Sequence, residues 1–135
     1  MLGKKFLAAS LFAVISVGVT AADSEPRATT TMLEMMNRII LPASNAVFYA
    51  ASELPDTDEG WRELENHALV LAESANLLLI EGYRQESEQW LTDTLLMRDA
   101  SVRAFEAAQA RDEDALIDLN NDLYESCESC HNATR

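Results

Sequence analysis

Apolar positions in this chain recur at steps of three and four, the period of a helix that buries one face. The clearest run is Trp61, Leu64, Ala68, Leu71, Ala72, Ala75, Leu78, Leu79 and Gly82. Leu116, Leu119, Leu123, Cys127 and Cys130 repeat the pattern near the C-terminus. A third segment, Ser87 to Ala110, is helical in composition with a broader face carrying Trp90, Met97, Ala104 and Phe105. The first segment, from near Thr29 to Glu53, contains Pro42. Proline lacks an N–H and crowds the preceding turn, so a kink or a local break is expected there. Strict alternation of apolar and polar residues is absent, and no strand is predicted.

Three breaks separate these segments. Leu54-Pro55-Asp56-Thr57-Asp58-Glu59-Gly60 stops one helix at Pro55 and offers Thr57 or Asp58 as the next N-cap. Gly82 to Gln85 is the second, with Ser87 as the cap of the third helix. Arg111-Asp112 is the third, with Asp112 as cap and Glu113 and Asp114 in a first turn that favours acids. The first helix starts either at Ser24 ahead of Pro26 or at Thr31, where Glu34 completes a capping box. Four helices joined by short loops predict an all-α fold, most simply an antiparallel up-down four-helix bundle.

The N-terminus changes what counts as the folding unit. Lys4 and Lys5 precede an uncharged run from Phe6 to Val19, followed by the small residues Ala21 and Ala22. This three-part pattern reads as a secretory signal over 1–22, and the run is short for a transmembrane span. The competing readings are an uncleaved N-terminal anchor and a buried helix. Removing 22 of the 135 residues leaves a single domain, 23–135, exported to the periplasm. Both lysines leave with the signal, so the formal charge moves from −13 to −15 and arginine is the only strong cation that remains. Such an acidic chain lacks the Lys/Arg excess that binds nucleic acid. Partners steered by charge would present basic surfaces.

Cys127-Glu128-Ser129-Cys130-His131 is a C-x-x-C-H pentapeptide, the attachment signature of c-type haem in an exported protein. Positions i, i+3 and i+4 of a helix share a face, so both thiols and the imidazole point the same way. The thiols add to the two haem vinyl groups, and His131 reaches the iron as proximal ligand. The motif continues the stripe of Leu116, Leu119 and Leu123, which predicts one covalent haem c in the bundle core. A thioredoxin-like pair would need a βαβ context. A structural zinc would need four ligands, with only His67 left as a further typical donor. A local disulfide would leave His131 unexplained.

A four-helix chain with C-x-x-C-H at its C-terminal end resembles the class II c-type cytochromes, the cytochrome c′-like group. Besides the pentapeptide, the resemblance takes in Met32, Leu41-Pro42-Ala43-Ser44, Trp61, Leu71-Ala72-Glu73-Ser74-Ala75-Asn76, Trp90 and Arg135. Thr134 stands where such proteins often place a tyrosine. The resemblance implies electron transfer if a methionine faces the iron opposite the histidine, and binding of small gases such as NO and CO if an apolar residue does. By its place in the first helix, Met32 best matches the distal position and is the expected sixth ligand. Met36 lies one turn on along nearly the same face, while Met35 is rotated away. His67 is a weaker distal candidate, more simply a half-exposed helix histidine. The resemblance also implies a propionate contact for Arg135, a redox partner protein and a homodimer through the first two helices. A third reading is a haem-free module using its thiols for redox or metal chemistry. No nucleophile–base pairing is legible, so an enzyme is not expected.

Overall fold

The computed structural model describes residues 25–133; the expected signal at 1–22 and the residues Thr134 and Arg135 lie outside them. Four helices share one core, and no strand occurs among the described residues beyond a lone parallel bridge between Arg27 and Glu81. The first helix, α1, joins α-helical Met32–Met35, a π-helical turn Met36–Ile40 and α-helical Leu41–Ala50. Helix α2 is Asp58–Leu77, α3 is Glu88–Ala110 and α4 is Glu113–Ala133. Among the described residues no helix is long and apolar enough to cross a membrane.

The helix starts follow from side chains that satisfy the exposed N–H groups of each first turn. Thr31 accepts from the Glu34 N–H at 3.2 Å, and the Glu34 carboxylate accepts in return from the Thr31 N–H, so the capping box forms at Thr31. Thr57 caps α2 through the Gly60 N–H at 3.1 Å, and Ser87 caps α3 through the Trp90 N–H at 3.0 Å. Asp112 accepts from the Ala115 N–H at 3.0 Å.

Pro42 neither kinks the helix to a stop nor breaks it. The π turn just before it lets the Leu41 N–H reach the Met36 carbonyl, five residues back. Widening the turn is the physical answer to a ring that would crowd an α-helical carbonyl four residues earlier. The buried positions of α1 record it: Met35 is followed by Ile40, a step of five, and then by Ala43, Val47 and Ala50.

Gly82 belongs to the connection after α2 rather than to the helical stripe. It has φ +92°, and a Cβ there would stand 2.7 Å from the Ala28 Cβ. That close approach lets the segment before α1 lie on the α2–α3 connection. The Ala28 N–H donates to the Glu81 carbonyl at 2.8 Å, and the Thr30 and buried Tyr83 hydroxyls are 3.3 Å apart. Between α3 and α4, Arg111 takes a left-handed conformation at φ 53°. The N–H groups of Arg111 and Asp112 then return to the carbonyls of Ala108 and Ala107.

The core is densest where α3 packs against α2 on one side and α4 on the other. Small residues let these helices approach: Ala68 and Ala75 on α2, and Ala100, Ser101 and Ala108 on α3, are at most 1% exposed. Their buried hydroxyls bond inside the helix, Ser74 to the Val70 carbonyl and Ser101 to the Met97 carbonyl. Trp90 ties α3 to the end of α2 through a buried 3.0 Å bond from its indole N–H to the Leu78 carbonyl. Helix α1 packs mainly on α2 and more sparsely on α4.

Candidate functional site

The pentapeptide occupies the last turns of α4, where the apolar stripe brings Ser126 inside and leaves Cys127 and Cys130 half-buried. Together with His131 they line an interior cavity of about 30 Å³ at the sparse α1–α4 seam. Apolar walls come from Met36 and Ile40 of the π turn, Leu78 after α2 and Met97 of α3. Polar atoms enter from α3 through Asp93 and Thr94. On the outer side of α4, Cys127 and His131 also line an open groove of about 320 Å³ with Tyr124 and Glu128. The imidazole of His131 therefore stands at the boundary between interior and solvent. A larger groove, about 530 Å³ between α3 and α4, carries none of the motif residues.

Both thiols are held in the protonated form. Burial pushes the Cys127 thiol above its usual range, and the Ser126 hydroxyl offsets this in part. Burial is also the main cause for Cys130, with the negative charges of Asp93 and Cys127 adding to it. A reactive redox pair or a ready metal site needs the opposite, a lowered thiol pKa. Among the described residues no group of three or more His, Cys, Asp or Glu side chains is placed to hold a metal ion.

The donor chemistry here suits a covalent haem: two thiols, an imidazole and the thioethers of Met36 and Met97 line the same cavity. Its volume is another matter. About 30 Å³ is one water's share, against several hundred for a ligand pocket. A macrocycle enters only if Met36, Ile40 and Met97 swing outward. The sparse packing of α1 on α4 makes that end of the molecule the one where such opening disturbs least.

The first helix sorts its three methionines. Met35, which helical spacing turns away from the iron-facing side, is buried in the core at 1% exposure. Met32 packs half-buried against that core, and Met36 is the one that lines the cavity with His131. His67 is half-buried midway along α2 and is not part of the cavity wall. Arg135 lies outside the described residues. Trp61 and Trp90 are buried in the core, and Phe105 packs against it.

Asp93 and Gln89 escape a reading by periodicity. Asp93 is 3% exposed and accepts from the Gln89 side-chain amide at 2.8 Å through Oδ1, while its Oδ2 and the Thr94 hydroxyl are buried without a hydrogen-bond partner. Gln89 also donates to the Ser129 hydroxyl at 3.4 Å, inside the pentapeptide. The signal was present as a defect: Asp93 falls in step with Trp90, Met97, Ala100 and Ala104, on the stripe that should be apolar.

The chain matches no family model, no curated protein and no solved structure.

Proposed function

We propose that this is an exported, periplasmic c-type cytochrome that transfers electrons through one covalent haem. The carrying observation is that Cys127, Cys130 and His131 line one interior cavity with the thioether of Met36. Cys127 and Cys130 would hold the group through thioethers, and its iron would supply the one-electron change. His131 and a methionine sulfur of α1 would be the iron's protein ligands, and the apolar walls would exclude water. Short connections between successive helices favour the antiparallel up-down order around that group.

The choice of sulfur lies between the expected Met32 and Met36. Position on the cavity wall favours Met36, because Met32 would have to leave its packing one turn earlier. Ferric and ferrous spectra of protein matured in a periplasm test the whole reading. A pyridine haemochrome should show one covalent haem, with a low-spin ferric spectrum. Met36→Ala should convert it to high spin and Met32→Ala should not; the reverse outcome assigns the ligand to Met32. A blank haemochrome would sink the reading and leave the haem-free dithiol module.

A five-coordinate binder of NO or CO is the second reading. Ile40 and Leu78 favour it, since they give the cavity apolar walls that offer the iron no ligand. Fast CO binding to the reduced protein without loss of an internal ligand would decide for it. Redox partners with basic surfaces suit the acidic charge of the chain. A homodimer through α1 and α2, implied by the family resemblance, would bury the exposed Leu33 and Leu41 with Leu69 and Leu77.

A further inference from the structure

A buried carboxylate oxygen without a partner costs stability, and few survive unless something else uses them. Asp93 is such a group. It is only 3% exposed, one oxygen is held by Gln89, and the other is bare on the wall of the cavity that holds the cysteines and His131. Among the described residues no arginine lines that cavity to offset the charge. The Gln89 amide, which spans Asp93 and Ser129, fixes the carboxylate against the pentapeptide turn.

We propose that Asp93 is the potential-setting residue of this site, a fixed negative charge that favours the ferric over the ferrous state of the bound group. The inference rests on the haem reading above and goes beyond it, since neither the pentapeptide nor the axial sulfur requires a carboxylate on α3. Gaining an electron beside a buried anion is disfavoured, and low polarity around the pair makes the effect larger than at the surface.

The test is the midpoint potential of the matured protein, read by optical redox titration. Asp93→Asn should raise it, by about 59 mV for a tenfold change in the one-electron equilibrium. Asp93→Glu should return it towards the native value, and Thr92→Val, on the exposed side of the same helix, should leave it in place. Raising the salt to about 1 M should preserve the Asp93→Asn shift, because a buried charge is poorly screened, whereas any shift from the exposed Glu128→Gln should fade. Should the asparagine variant fail to retain haem, Asp93→Leu removes the charge without leaving a polar atom to desolvate and carries the same expectation. Haem present with an unchanged midpoint in both variants overturns the role of Asp93 alone. Absence of haem from the native protein overturns the reading on which it rests.

Discussion

Two helix seams of this molecule are built on opposite rules. Where α2 and α3 face each other, alanines and serines bring the backbones close, the hydroxyls of Ser74 and Ser101 each have a carbonyl, and Trp90 stitches the end shut. Where α1 approaches α4, the chain places long, adaptable side chains, a widened helical turn, and two polar atoms without partners. The first seam spends its composition on stability. The second gives up close packing, and there the thiols and His131 are found. The candidate site lies at the sparsely packed seam, backed by the densely packed half.

The largest effect that sharpens this contrast is expected at Leu71, which is fully buried in α2. Leu71→Ala should cost about 2–5 kcal/mol in urea unfolding, because tight neighbours cannot collapse into the space. Next comes a paired test of overpacking. Ala100→Leu should cost about 1–3 kcal/mol, whereas Thr94→Val, which removes an unpartnered hydroxyl, should be neutral or stabilising. Equal losses from the two would erase the distinction between the seams.

A smaller effect concerns the thiols. Their raised pKa values mean that the unfolded chain loses these protons first, so stability should decline as pH climbs past the ordinary cysteine value of 9.0. Alkylation with iodoacetamide near that pH should be slower in native haem-free protein than in urea. Equal rates would mean the cavity does not shelter them. The smallest effect lies at the solvent end of the α2–α3 seam, at the exposed pair of Asp58 with Arg111, 2.6 Å apart, whose guanidinium also sits 5.9 Å from the Trp61 ring. Arg111 holds the Asp58 carboxyl below its ordinary 3.8. Its stabilising contribution is therefore present above that pH and lost as pH falls through the lowered value. Asp58→Asn should cause a slight loss in thermal unfolding at neutral pH, and the difference from native protein should vanish in acid.

Much of this was legible in the residues. Helix caps at Thr31, Thr57, Ser87 and Asp112 are local chemistry, and each forms where the sequence places it. The stripe of α2 reads cleanly because its buried face is almost wholly apolar. Helix α3 reads poorly because Asp93, Thr94 and Ser101 lie on its buried face. Asp93 and Ser101 find partners within their own helix and the Thr94 hydroxyl has none, which no periodicity reports. Helix α1 defeats the pattern for a geometric reason. Three- and four-residue steps from Met35 predict burial of Arg38 or Ile39, yet both are exposed and Ile40 is inside. The same offset leaves Met36, rather than Met32, on the cavity wall.

That offset reaches beyond one turn. Each helical residue advances the angular phase by about 100°, so one surplus residue would rotate everything after it off the core. The π turn absorbs this surplus, and α1 is in effect two helices of different phase written as one. Any alignment of this chain by hydrophobic phase to a straight four-helix protein must open a one-residue gap between Met36 and Ile40. Without it, every assignment on one side of Pro42 points outward.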